Sequence, residues 1–396
     1  MPEPPPLRVC YLVAYFHPFE CGAERQALAQ GAELVRLGHT VHVLTHAVPG
    51  VPTEETIRGI QVHRWIHSSK RGAWFSVSFV ASAVRALRRL RPSYDLIHTH
   101  QALWEAVAAG VARSGLVRGA PSLIQPASSG YYGEAEELTR IRGAGLLRRI
   151  MLRNDAFAAI SADIERQWLA LGVPSGRMHR MASGVDADHF RPVATRPESS
   201  GPTRVVFTGR LHPQKNLDVL LEAWPRVAAE TGAQLILVGQ GPERDRLEGR
   251  ARDLGIADWV RFVGAVGDVA EALRSADVFV LPSVAEGMSN SLLEAMATGL
   301  PCVASDIGGN RDLLGSGERG PAGVLVAEPA REAWSHALIG LIRDPGRRLQ
   351  LGAEARRRVD ETYDLRRVTA RYVALYRELL GSQRTRNEGG FPSDRA

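Results

Sequence analysis

Short apolar runs alternate along the first half of the chain with longer stretches whose apolar positions recur every three or four residues. Val9 to Val13, Val41 to Leu44, Leu96 to His98, Ser122 to Ile124 and Ala156 to Ser161 have the length of buried strands. Helical stretches lie between them, one from about Ala23 to Leu37 and another before Tyr94. This alternation predicts βαβ units on a parallel sheet. In "RLGHTVHV" Gly38 supplies a helix terminus and the next strand follows within a few residues.

The rhythm stops at a polar connector rich in Pro, Ser, Gly and Thr between Asp186 and Thr203, then restarts. Val205 to Thr208, a helix from Leu217 to Ala229, Leu235 to Val238, a helix from Arg244, Val260 to Val263 and Val278 to Leu281 repeat it, with further units to Val326. The pattern predicts two Rossmann-like, doubly wound α/β domains over 1–185 and 203–363, joined by a linker at 186–202. A closing helix over 364–380 carries Val368, Tyr372, Leu375, Tyr376 and Leu379 on one side and is expected to pack back on the first domain. The polar tail 381–396 is expected to be disordered.

The 396 residues exceed one ordinary core, which agrees with two domains. No run of about 18 apolar residues is present to span a bilayer, and the start lacks a basic segment leading into a signal-type apolar run. Cys10, Cys21 and Cys302 are too few and too scattered for a disulfide framework or a zinc site, so a cytoplasmic setting is expected. The net charge of +6 rests on arginines without the aromatic and basic interleaving of RNA binders, which argues against a nucleic-acid partner. Arg85, Arg88, Arg89 and Arg91 end an apolar run from Trp74 to Leu87, and Arg148, Arg149 and Arg153 form a second basic group. These read as solvated helix faces or as peripheral contacts with an anionic membrane. Lys70 and Lys215 are the only lysines, which makes each conspicuous.

Candidate chemistry gathers in the second half. "VVFTGRLHPQKNLDVLLEAW" is a strand ending at Gly209, a loop with Arg210 and Lys215, and a helix that Asn216 is placed to cap, with Leu217, Leu220, Leu221 and Trp224 as its buried stripe. Ligands of open parallel sheets sit beyond the carboxyl ends of the strands. A planar Arg fork, a Lys point charge and helix-end amides there would clamp a diphosphate without a metal. After Val278 to Leu281 comes a loop with Glu286, Gly287 and Met288, and Ser289 or Asn290 opens the next helix. Glu286 and Glu294 are spaced E-x7-E, one on the loop and one on the helix; a carboxylate can accept two hydroxyl hydrogen bonds, which suits sugar recognition.

These residues resemble the donor-binding domain of glycosyltransferase family 4, a retaining GT-B family. The resemblance is carried by "GRLHPQKN" from Gly209, "LVGQGPE" from Leu237, "FVG" from Phe262, "ADVFVLPS" from Ala276, "EGMSNSLLEAMATGLPCVASDIGG" from Glu286 and "GVLV" from Gly323, and it extends over about residues 7 to 380. It implies two Rossmann-like domains facing each other across a cleft and transfer of a sugar from a nucleotide diphosphate donor, a UDP-sugar first. Arg210 and Lys215 would hold the diphosphate, Glu294 the ribose hydroxyls and Glu286 the hydroxyls of the donor sugar. The backbone from Gly287 through Met288, Ser289 and Asn290 to Ser291 would surround sugar and phosphate, and the segment after Gly264 would lie beside the base. No cofactor or metal is implied. The acceptor would be a glycan, a lipid-linked or a small molecule, as in cell-envelope or polysaccharide assembly.

In the first half, "FECGAERQALAQGAELVRLGHTV" resembles the family's glycine-rich loop, with Cys21 in place of the first glycine and Gly22 kept as a backbone donor near the sugar phosphates. Many relatives place a His after the strand Ser122 to Ile124. This chain reads "LIQPASSGYYGE", so Ser128, Ser129 and Gly130 would line the reacting sugar instead. His98 and His100 point to one side of a strand end. His100 reads either as packing or as an acceptor-side catalytic group, and no third ligand accompanies the pair for a metal. "DAD" at Asp186 to Asp188 falls in the linker pattern and reads as structural, and "GQG" at Gly239 to Gly241 lacks the rest of a dinucleotide fingerprint. The rival functions are a nucleotide-sugar epimerase of the same fold and a non-catalytic sugar-nucleotide-binding subunit.

Overall fold

The structure is a computed structural model that describes residues 5–19, 22–69, 73–113, 120–193, 201–315, 317 and 320–388. Cys21, Lys70 and the chain beyond 388 lie outside the described residues, as do 194–200 of the expected linker. The chain divides into two compact units, one of Met1–Gly184 with Leu365–Ala396 and one of Val185–Asp364.

The first unit runs β1 (Arg8–Leu12), α1 (Gly22–Arg36), β2 (Thr40–His46), β3 (Glu54–Ile57), β4 (Ile60–Ile66), α2 (Ala73–Leu90), β5 (Leu96–Thr99), α3 (Trp104–Val111), β6 (Ser122–Ile124), α4 (Glu134–Arg140), α5 (Ala144–Met151), β7 (Ala156–Ala159), α6 (Ala162–Ala170) and β8 (Met178–Arg180). Its sheet has the order β3-β4-β2-β1-β5-β6-β7-β8, parallel except for the antiparallel edge pair β3 and β4. Strand β1 is central, and Val9 to Leu12 are fully buried, as its apolar run requires. Gly38, at φ +84°, ends α1 and its N–H bonds to the Val35 carbonyl at 2.9 Å. The order reverses between β2 and β5 around β1, the topological position beyond whose carboxyl strand ends open α/β sheets bind ligands.

The second unit runs β9 (Arg204–Thr208), α7 (Leu217–Thr231), β10 (Gln234–Val238), α8 (Arg244–Asp253), β11 (Val260–Gly264), α9 (Val269–Arg274), β12 (Val278–Leu281), α10 (Asn290–Ala297), β13 (Cys302–Ser305), α11 (Gly308–Leu314), β14 (Val324–Val326), α12 (Arg331–Ile342) and α13 (Pro345–Arg358). Its all-parallel sheet is ordered β11-β10-β9-β12-β13-β14, with the reversal between β9 and β12. The expected stripe of α7 is buried, with Leu217, Leu220, Leu221 and Trp224 in the core.

Three expectations are corrected. The pattern reading passed over the edge hairpin β3 and β4, whose turn at Arg58 and Gly59 takes positive φ at both residues, a two-residue hairpin turn. The described part of the linker is packed structure. Asp186 Oδ1 accepts the N–H groups of Asp188 and His189, while Arg356 donates to the Ala187 and Phe190 carbonyls at 3.0 Å. The terminal helix α14 (Leu365–Glu388) runs past Gly381, where the tail was expected to begin. Extending an existing helix adds one bond per residue without a nucleation cost, so Gly381 slows it without stopping it.

Helix α14 belongs to the first unit, and Val368, Tyr372, Leu375 and Tyr376 are buried there. Its two tyrosines meet the buried His98 ring and Gln125. His98 Nδ1 lies 2.7 Å from the Tyr376 hydroxyl and Nε2 lies 3.1 Å from Gln125 Oε1, which also accepts the Tyr372 hydroxyl at 2.7 Å. Since Gln125 Oε1 only accepts, His98 carries its proton on Nε2 and its Nδ1 accepts from Tyr376. Burial holds His98 well below the ordinary histidine range, so it stays neutral. Replacing Tyr376 by Phe leaves Nδ1 buried without its donor, and the expected loss is about 1–3 kcal/mol in chemical denaturation. An unchanged midpoint would show that this bond does not hold α14.

Glu105, in the first turn of α3, is also buried, and burial, followed by the nearby Glu134, Glu24 and Glu137, pushes its carboxyl up to about 7 from 4.5. A carboxyl raised in the folded state gives stability that is fully present below its unfolded value and is lost as pH rises through its folded value. Glu105→Gln is therefore expected to flatten the fall in stability between about pH 4.5 and 7, by on the order of 3 kcal/mol at most. Parallel pH–stability curves for the variant and the wild-type chain would contradict this.

Candidate active site

The carboxyl edge of the second sheet is built by close backbone approach. Gly239 has φ +142°, and a Cβ there would sit 1.8 Å from the Gly209 carbonyl oxygen, so the turns after β9 and β10 can touch only through glycine. The same holds for Gly241, whose Cβ would lie 2.1 Å from the Leu211 carbonyl oxygen. This packing accounts for the "GQG" segment. Gly239 N–H also donates to the Gly264 carbonyl at 2.8 Å, which ties the ends of β9, β10 and β11 together.

Beyond Gly209 the chain exposes Arg210, buries Leu211, and turns through Pro213–Lys215. The Arg210 side chain has no hydrogen-bond or ion-pair partner among the described residues. Asn216 differs from expectation: it sits at φ +47° before α7 and gives no side-chain cap, because the preceding tight turn is capped instead by His212, which accepts the Gln214 N–H. Gln214 then joins this loop to the one after β12, donating through Nε2 to the Ala285 carbonyl at 2.8 Å and accepting the Val284 N–H at 2.9 Å.

That stitching brings Lys215 onto Glu286. Lys215 Nζ and Glu286 Oε1 form an ion pair, and Ser283 Oγ donates to the same oxygen at 2.7 Å. Only 17% of the Lys215 side chain and 10% of the Glu286 side chain are exposed. Gly287, Met288 and Ser289 are buried beside them. A Cβ on Gly309, in the first turn of α11, would meet the Gly287 carbonyl oxygen at 2.1 Å, so α11 braces this loop. Ser289 is the N-cap of α10, accepting the Leu292 N–H at 3.4 Å, with Asn290 and Ser291 opening the helix. Glu294 is buried in its second turn, unlike a typical solvated helix carboxylate.

In the first unit Gly22 begins α1 and is exposed. Ser128 is half-buried and Ser129 buried on the loop after β6. His100 is enclosed: its ring lies 4.4 Å from the Tyr11 ring and 4.3 Å from the His98 ring between centroids, and neither ring nitrogen has a partner among the described residues. Burial lowers it to about 3, so it is uncharged at neutral pH. Among the described residues no three His, Cys, Asp or Glu side chains are grouped as a metal site, and no helix is long and apolar enough to cross a membrane.

The sequence reading singled out Arg210, Lys215 and Glu286 but missed Gln214, Ser283 and Gly309, which set their geometry. The only signal for them was position, since each lies on a loop or helix start at the carboxyl edge.

Comparison with known proteins agrees with this architecture. Residues 21–189 match the family described as Glycosyltransferase Family 4 and residues 202–344 the one described as Glycosyl transferases group 1. A phosphatidyl-myo-inositol mannosyltransferase of Mycobacterium leprae is 30% identical over 360 residues, covering 86% of this chain and 89% of that protein. An N-acetyl-alpha-D-glucosaminyl L-malate synthase of Bacillus anthracis is 23% identical over 359 residues, covering 88% and 92%. Among solved structures, sucrose-phosphate synthase from Thermosynechococcus elongatus superposes with a TM-score of 0.79 at 23% identity, covering 95% of this chain and 100% of that one. Anabaena Alr3699/HepE, solved in complex with UDP and glucose, gives a TM-score of 0.75 at 19% identity, covering 93% and 99%. With two parallel-sheet α/β units and relatives matched over most of its length, the chain belongs to glycosyltransferase family 4 and is a glycosyltransferase of the GT-B fold.

Proposed function

We propose that this glycosyltransferase moves a hexose from a nucleoside diphosphate sugar to an acceptor hydroxyl with retention at the anomeric carbon, without a metal. The observation that carries the reading is the mostly buried Lys215–Glu286 pair, with Lys215 on the same loop as an exposed Arg210 that has no partner among the described residues. Lys215 exchanges Glu286 for the diphosphate, Arg210 adds its fork, and Glu286 turns to the hydroxyls of the donor sugar. Glu294 takes the ribose hydroxyls, the Gly287 to Ser291 backbone borders sugar and phosphate, and the chain after Gly264 borders the base. Gly22, Ser128 and Ser129 are the first unit's contributions, with His100 as a candidate acceptor-side group.

In the reaction, the bond from the anomeric carbon to the diphosphate oxygen breaks and its electron pair leaves with the diphosphate. The acceptor oxygen attacks from the same face, and its proton passes to the departing phosphate oxygen. Charge grows on the diphosphate as the bond opens, so fixed cations there lower the barrier more than they tighten donor binding. Two relatives support both bases as donors: one structure holds UDP and glucose, and a mannosyltransferase of Mycobacterium tuberculosis, 32% identical over 229 residues, is GDP-mannose-dependent.

Two outcomes test this. UDP- and GDP-hexoses, compared in a thermal-shift screen, should raise the melting temperature for one base, since ligand binding to the folded state stabilises it. With that donor, Lys215→Ala should lose about 10²–10³-fold in kcat. Near-normal turnover would remove the diphosphate assignment. Contact with anionic membrane is a separate part of the reading. It is supported by α2, which exposes Trp74 and Val77 at one end and Arg85, Arg88 and Arg89 at the other. Binding to phosphatidylglycerol vesicles that weakens with salt is expected, and absence of any vesicle binding would end that part alone.

A further inference from the structure

The loop after β6 is held by one buried carboxylate. Glu134, the first residue of α4, is 8% exposed. Its Oε1 accepts the Ala127 N–H at 2.8 Å and its Oε2 accepts the Ser128 N–H at 3.0 Å. A third backbone N–H, from Ala102 on the loop after β5, bonds to the same carboxylate. Among the described residues no cation pairs with it; burial raises its pKa, and the backbone amides aimed at it work against that rise. The carboxylate thus ties together the two loops that follow neighbouring strands β5 and β6.

The return path of the loop is equally constrained. A Cβ on Gly133 would lie 2.9 Å from the Ser129 Cα and 3.0 Å from the Ser128 carbonyl oxygen, so the turn closes on itself only with glycine there. At its start, Gln125 N–H donates to the Thr99 carbonyl at 3.0 Å while its side chain meets Tyr372 and His98. Between these anchors, the amides of Ala127 and Ser128 have the Glu134 carboxylate as their support. A glutamine could not replace it. An amide has a single acceptor oxygen, and its NH2 would face one of the two loop N–H groups.

We infer that Glu134 is a positioning residue of the transferase, fixing the backbone of Ala127 to Ser129 and thereby the placement of Ser128 and Ser129. This rests on the reading that these serines line the reacting sugar. A misplacement of about 1 Å in such a group can cost on the order of 10²-fold in rate. The cost falls on the chemical step, since apart from Gly22 the residues assigned to the nucleotide belong to the second unit.

The test compares wild-type protein, Glu134→Gln and the double variant Ser128→Ala/Ser129→Ala. It reads kcat, donor KM, the ratio of donor hydrolysis to transfer, and the thermal shift by the nucleoside diphosphate. Glu134→Gln should lower kcat by about ten-fold or more with donor KM and thermal shift kept, and should raise the hydrolysis-to-transfer ratio. That ratio does not depend on how much of the sample is folded, so a merely structural lesion leaves it unmoved. A wild-type ratio and kcat in Glu134→Gln, beside a damaged serine variant, overturns the inference and leaves the site reading standing. Wild-type turnover in the serine variant overturns the site reading itself. If Glu134→Gln does not fold, amide exchange in the wild-type chain decides: Ala127 and Ser128 should be strongly protected, and rapid exchange at both refutes the anchor.

Discussion

A lysine and a glutamate held mostly out of water can coexist at a loop only if each compensates the other. Lys215 and Glu286 meet that condition at the carboxyl edge of the second sheet, with Ser283 completing the carboxylate's hydrogen bonding. Removing one partner of such a pair leaves the other charge uncompensated, typically at ~3–5 kcal/mol. The pair is therefore weak as a stabiliser, and on the proposed reading it is a poised site: an incoming anion of higher charge takes the lysine while hydroxyls take the carboxylate. Everything that positions it follows from topology. Strands β9 and β12 are neighbours because the order reverses between them, which sets their loops side by side. Gln214 joins those loops, and glycines at 239, 241 and 309 let backbones approach where any Cβ would collide.

The first unit uses the same plan with different chemistry. Its loops after β5 and β6 are organised around buried neutral and carboxyl groups, and no cation pairs with Glu134 among the described residues. His98, Gln125, Tyr372 and Tyr376 form one hydrogen-bonded chain that fastens α14 to the sheet. His100 fills the space between Tyr11 and His98. A polar network in a low-dielectric interior rigidifies what it connects when its members are satisfied. The strand ends that carry Ser128 and Ser129 thus rest on a stiff floor.

Much of this was legible before any coordinates. Apolar runs of strand length located the central strands, Gly38 marked the end of α1, and the cation pair in "GRLHPQKN" and the E-x7-E spacing named the residues at the edge of the second sheet. What stayed hidden were partners chosen by three-dimensional proximity. Nothing in the string of letters ties Gln214 to Ala285, Gly309 to Gly287, or Glu134 to the amides of Ala127 and Ser128, since each contact depends on which loops the sheet order makes neighbours. Local polarity also misled. The segment after Asp186 reads as a polar connector, yet Ala187 and Phe190 are buried and their carbonyls are held by Arg356, a contact 166 residues away for Phe190. The hairpin of β3 and β4 was passed over because its turn residues, Arg58 and Gly59, are not the usual Asn-Gly signal.

The most direct trial of the account is a crystal structure with an intact, slowly reacting nucleotide sugar. The account expects Lys215 Nζ to have left Glu286 for a phosphate oxygen, with Glu286 on the sugar hydroxyls and Arg210 on the diphosphate. A donor bound elsewhere, with the Lys215–Glu286 pair undisturbed, would contradict it.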